Sequence, residues 1–125
     1  MMRAAILLGA IVSVLAATGC QSQAERLHAE TLFHMENAIK LLEQTPANTE
    51  AAVANLDKYL TDNRLRLAET RAAAQALMAK MPADEREAFA RRALDRSRPL
   101  RERAETLART YPDPPRIMLK LQQFL

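Results

Sequence analysis

From Gln23 to the end of the chain, apolar residues recur at alternating steps of three and four, the spacing that lines one side of an α-helix. The first such pattern, about Gln23 to Gln44, gathers Ala24, Leu27, Thr31, Leu32, Met35, Ala38, Ile39 and Leu42 on one side and turns Glu30, Glu36, Asn37, Lys40 and Glu43 elsewhere. "QTPAN" stops it, because Pro46 and the Thr/Asn residues around it favour a turn and a new helix start. A second pattern, about Thr49 to Lys80, carries Val53, Leu56, Leu60, Asn63, Leu67, Thr70, Ala74, Leu77 and Met81 as a heptad-like seam. Read as one helix it is roughly 50 Å long. A break near "TDN" is the competing local reading.

"KMPADERE" opens the third helix, with Pro82 in a first-turn position and Asp84, Glu85 and Glu87 near the positive helix end. Its seam is Ala90, Ala93, Ser97, Leu100, Ala104, Leu107 and Tyr111. Pro99 lies inside it, removing one backbone hydrogen bond, so a kink over Asp95 to Pro99 or a restart capped by Ser97 is expected. "YPDPP" ends the segment. Asp113 and Pro114 then suit the N-cap and first position of a short last helix, about Pro115 to Phe124, with Ile117, Met118, Leu121, Phe124 and Leu125 to one side.

The arrangement these patterns imply is all-α: helices two and three form an elongated antiparallel hairpin, and two further helices pack on it to make a three- or four-helix bundle. The seams are rich in Ala and poor in rings. Such residues permit close helix approach but bury little apolar area each, so the bundle is expected to be thin unless a partner or a second copy covers a face.

Ahead of the periodic region the pattern changes. Met1, Met2 and Arg3 are followed by Ala4 to Ala17, an uninterrupted run of Ala, Ile, Leu, Val, Gly and one Ser. The run is short for a membrane span, which needs roughly 20 apolar residues, and has the length of a secretory h-region. It ends Ala16-Ala17-Thr18-Gly19-Cys20, which resembles the lipobox of bacterial lipoproteins through Gly19 and Cys20, with Ala17 where Leu is commonest. The resemblance covers about the first twenty residues. It implies that residues 1–19 are a lipoprotein signal peptide and that Cys20, the only cysteine, is joined to diacylglycerol and becomes the acylated N-terminus. Several acyl chains at about 0.8 kcal/mol per buried CH₂ make such an anchor stable. Gln21 follows. In the enterobacterial sorting rule an Asp there retains a lipoprotein in the inner membrane, so Gln21 implies the outer membrane, facing the periplasm.

Cleavage before Cys20 leaves residues 20–125, a single domain of 106 residues with one core. Without Arg3 it holds 17 Lys and Arg against 15 Asp and Glu, too mild a balance to require a polyanion. Both glycines, Gly9 and Gly19, lie in the leader. Phosphate-cradling loops and dinucleotide fingerprints need Gly, because only a residue without Cβ lets the backbone approach a phosphate closely, so neither can exist in the mature chain. Ser22 and Ser97 are its only serines, and no nucleophile elbow or kinase set can be written.

Three clusters remain as candidate chemistry. His28 and His34, six apart, point about 120° from each other on a helix and cannot chelate one ion together. His28 falls on the apolar side as a core or boundary residue, and His34 can meet Glu30 at i, i+4 as a surface pair. Met35, Met78, Met81 and Met118 fall in core stripes, where Met is a gap-filler, so no metal or other cofactor is expected. The third helix is locally basic, with Arg91, Arg92, Arg96, Arg98, Arg101, Arg103 and Arg109 against Asp95, Glu102 and Glu105. Its guanidinium groups can hold anionic lipid or lipopolysaccharide phosphates. The alternative is a solvated face of ion pairs, such as Arg98 with Glu102 and Arg101 with Glu105, or pairing with the acidic first helix. Interleaved aromatics are missing, which disfavours nucleic acid.

The expectation is a membrane-anchored, non-enzymatic envelope lipoprotein that acts as a protein-interaction or structural module, bound to an envelope protein or to copies of itself. A more specific version is a pilotin-like secretin chaperone, supported by size, anchor and helicity. The other reading is a binder of anionic envelope lipid through Arg91, Arg92, Arg96, Arg98, Arg101 and Arg103.

Overall fold

A computed structural model describes residues 2–124, with side chains from Gln23 onward. Among these residues every regular element is a helix: α1 (Met2–Gln44), α2 (Thr49–Asp62), α3 (Arg64–Lys80), α4 (Ala83–Ala108) and α5 (Pro114–Gln122). The expected signal segment 1–19 and the expected lipidation site Cys20 lie outside the residues described at side-chain level. No described helix is long and apolar enough to cross a membrane.

Side-chain contacts set the directions. Asn55 Nδ2 donates to Thr45 Oγ1, Tyr59 lies opposite His34 and Asn37, and Arg66 opposite Glu30, so α2 and α3 run antiparallel to α1 as one interrupted rod. Arg96 meets Glu25 and Arg103 meets Glu43, so α4 runs parallel to α1 and antiparallel to α3. Helix α5 follows α2, with the Asp113 N–H donating to Thr49 Oγ1 and with ion pairs from Arg116 to Glu50 and Lys120 to Asp57.

The all-α bundle is as the periodicity implies, and α1 is its centre. Close backbone approaches concentrate between α1 and α3, α1 and α4, α1 and α2, α2 and α5, and α4 and α5. Helices α3 and α4 are consecutive and opposed, yet both lean on α1 rather than on each other.

The long second helix is two helices. Asn63 (φ −109°, ψ 10°) separates α2 from α3, and its side-chain amide donates back to the Tyr59 carbonyl at 2.9 Å. An Asn that bonds its own preceding turn competes with the regular helix ladder. At Pro99 the opposite holds: α4 continues for 26 residues with neither a break nor a restart at Ser97. Ser97 is buried, and its hydroxyl donates to the Leu94 carbonyl at 3.0 Å instead of capping a new helix. Asn48 does cap α2, its Oδ1 accepting from the Ala51 N–H. Asp113 occupies the N-cap of α5 without using its side chain.

Two cores result. At the end where α5 packs, Met35, Ala38, Ile39 and Leu42 of α1 meet Val53 and Leu56 of α2, Ala104 and Ala108 of α4, Tyr111, and Ile117, Leu121 and Phe124. Full burial of a Leu, Ile or Phe side chain is worth about 1.5–3 kcal/mol. The Tyr111 hydroxyl donates to the Leu42 carbonyl at 2.7 Å, tying the end of α4 to the last turn of α1. At the other end, among the described residues, only Ala24, Met81 and Phe89 are buried together, flanked by Leu77 and Met78.

Candidate interaction groove

Where α3 and α4 part, α1 is left as the floor of an apolar groove of about 360 Å³. Ala24, His28, Thr31 and Leu32 form the floor, Ala74 and Met78 the α3 wall, and Phe89, Ala90, Ala93, Leu94 and Ser97 the α4 wall. Alanine at positions 74, 90 and 93 keeps the walls thin enough to expose the floor. Leu94 stays 52% exposed, a large apolar side chain at the rim. Arg101 closes one end, and also lines the adjoining cleft with Leu121 and Gln122 of α5, so the groove begins where α5 stops.

Little of the groove's polar capacity is free. Thr31 Oγ1 donates to the Leu27 carbonyl at 3.2 Å and Ser97 to Leu94 at 3.0 Å, so both hydroxyls serve their own helices. His28 packs edge-on against Phe89, with ring centroids 6.2 Å apart. Its Nε2 is buried without a hydrogen-bond partner among the described residues. Burial, reinforced by the charge of Arg96, holds the His28 pKa below its ordinary value, while the Ala93 backbone opposes the shift. The arrangement offers apolar contact, one imidazole and one guanidinium.

His34 is not at the surface. It is 2% exposed, and its Nδ1 lies 2.6 Å from Tyr59 Oη, to which Asn37 Nδ2 also donates at 3.2 Å. Burial lowers the His34 pKa, against the raising effect of Glu30. Glu30 itself pairs with Arg66 at 2.8 Å, and that hydrogen bond holds its carboxyl below the usual range. The expected His34–Glu30 surface pair is therefore replaced by two separate contacts, both made to the α2–α3 rod. His28 and His34 do not converge, and no group of three or more His, Cys, Asp or Glu is poised to hold a metal among the described residues.

Most of the α4 arginines are engaged in ion pairs. Arg92 and Arg96 approach Glu25 at 3.9 and 3.3 Å, and Arg103 holds Glu43 through two nitrogens, so the basic helix is stitched to acidic α1. Arg91 pairs with Glu87, Arg98 with Asp95 and Arg109 with Glu105. The expected pairs Arg98–Glu102 and Arg101–Glu105 are not formed. Arg101 alone of the six candidate residues has no acidic partner within 4 Å among the described residues. The pairs are exposed, worth at most about 1 kcal/mol each, and can exchange partners.

A wider depression of about 910 Å³ lies between the α2–α3 rod, from Asp57 to Arg71, and the end of α5. Its Arg71 donates to the Gln123 carbonyl, holding α5 in place. The chain matches no protein-family model, no curated protein and no solved structure.

The groove has no motif of its own, and the sequence reading misses it. The signal that was present is a mismatch of lengths: α5 has nine residues, whereas α3 has 17 and α4 has 26, so the last helix is too short to cover the seam between them.

Proposed function

We propose that this protein is a lipid-anchored, non-enzymatic module of the bacterial envelope, exported behind residues 1–19, tethered by diacylglycerol on Cys20, and holding another envelope protein in the groove between α3 and α4. The observation that carries the interaction role is the groove itself, an apolar trough whose hydroxyls are spent on backbone carbonyls. Cys20, with Gly19 before it at the end of an apolar run, supports the anchor, and Gln21 supports the outer membrane. Ala24, on the groove floor, is four residues after Cys20. That is about 6 Å of helix, so the tether presents the groove close to the bilayer. A direct phosphate-binding role for the α4 arginines is less well supported, because five of the six candidates already hold carboxylates.

The test is photo-crosslinking in intact cells. A benzophenone side chain in place of Leu94, a large exposed side chain at the groove rim, is expected to give one discrete heavier adduct. The same group in place of Leu119, exposed on α5, is expected to give none. Cys20→Ser is expected to release the protein from the membrane fraction and to lose the Leu94 adduct. Equal labelling at both positions would remove the interaction role, and a membrane-bound Cys20→Ser protein would remove the anchor.

A further inference from the structure

Resting on that reading, we infer that the groove's occupant is an acidic amphipathic helix of the partner protein, laid in line with α5. The bundle's own design points there. At the closed end, α1 is the floor, the α2–α3 rod is one wall, α4 is the other wall, and the slot is filled by helix α5 through Ile117, Leu121 and Phe124. At the open end the same rod and the same α4 continue over the same floor, and the slot is empty from Arg101 to Phe89. Twelve α4 positions separate those two residues, about 18 Å, which matches a helix of some three turns.

Charge selects the sign of that helix. Helix α2 carries three acids and one base (Glu50, Asp57 and Asp62 against Lys58), a net −2. It is met by α5, whose two charged residues, Arg116 and Lys120, give +2 and pair with Glu50 and Asp57. Helix α3 carries four bases and one acid (Arg64, Arg66, Arg71 and Lys80 against Glu69), a net +3. The facing stretch of α4 from Ala83 to Arg101 has six arginines against four acids. Where the closed end offers acidic partners to a basic helix, the helices flanking the open end carry a positive excess, and the one charged side chain that lines the groove, Arg101, has no acidic partner among the described residues. An occupant with a small apolar stripe and flanking carboxylates covers Leu94 and answers Arg101.

Two helix-stabilised peptides of about 14 residues serve as probes, sharing one Leu/Ala stripe and flanked by Glu in one and Lys in the other. Binding to the full-length protein in mild detergent is followed by fluorescence anisotropy. The Glu peptide is expected to bind at least 10-fold more tightly than the Lys peptide, and more weakly as salt rises. Arg101→Glu should erase or reverse that preference. Ala90→Trp, a change at an exposed wall position that fills the groove without touching either core, should abolish binding with the helical circular-dichroism signal unchanged.

Equal affinity for the two peptides, or binding that survives Ala90→Trp, overturns the inference. So does decanoate, a single-chain anionic amphiphile, binding with Arg101 dependence while neither peptide binds, since the occupant is then a lipid. Sedimentation showing a dimer that Ala90→Trp dissociates overturns it in favour of a second copy. If the peptides fail while the Leu94 position still gives its discrete adduct in cells, the helix assignment falls and the interaction module stands.

Discussion

The two ends of this bundle are built on the same helices and differ in one. Around Leu42, Leu56 and Ala104, four helices enclose bulky side chains on all sides. Around Ala24 and Phe89, three helices enclose a few, and a groove lies where the fourth would be. On the proposed function, stability and recognition are thereby separated along the long axis. The closed end supplies the apolar burial that holds the fold. It leaves the open end free to keep alanine walls and an exposed Leu94, which would be poor choices for a core but suit a surface that has to accept another helix.

Removing the differing element should have the largest effect. A chain ending at Asp113 lacks Ile117, Leu121 and Phe124, exposes Leu56 and Leu42, and is expected to lose cooperative thermal unfolding altogether, followed by circular dichroism. Next come single truncations. Leu56→Ala, in the closed core, should cost about 2–5 kcal/mol in denaturant unfolding, whereas Leu94→Ala at the groove rim should cost under about 1 kcal/mol. Comparable losses at the two sites would dissolve the distinction between the ends.

Tyr111→Phe removes one hydrogen bond to the Leu42 carbonyl, which keeps the Thr45 N–H, for an expected loss of about 0.5–1.5 kcal/mol in the same assay. Acid should act on both ends through the histidines. Burial lowers the pKa of His28 and His34 from 6.5 in the folded chain, so the unfolded chain takes up protons first. Their contribution to stability is complete above pH 6.5 and is lost as pH falls from there toward the folded-state values, a decline that denaturant midpoints across pH 7.5 to 5 should show. A double His28→Gln, His34→Gln protein should show less of it. The smallest effect is expected for Arg103→Ala, which breaks the exposed pair to Glu43 and should change stability by no more than about 1 kcal/mol.

The closed end was legible in the chain, since Ile39, Leu42, Leu56, Ile117 and Leu121 are bulky residues at helical spacing and spacing alone brings them inward. The two irregular positions were harder to read. Asn63 looks like one more seam residue until its amide is seen to bond Tyr59, and Pro99 looks like a stop, although neighbouring turns and tertiary packing carry α4 through it. His34 resembled a surface residue because its partner, Tyr59, is 25 positions away, and periodicity within one helix says nothing of what another helix brings. The groove was the least legible. It is made by what α5 fails to reach, and no residue pattern marks an absence.

Residue-resolved amide hydrogen exchange tests the division between the ends most directly. Amides of α2, of α5 and of α4 beyond Leu100 should open only with global unfolding. Those of α3 and of Ala83 to Leu94 should exchange through cheaper local opening, and should gain protection when the Glu-flanked peptide binds. Uniform protection along α4, or a peptide that protects the closed end instead, would contradict the account.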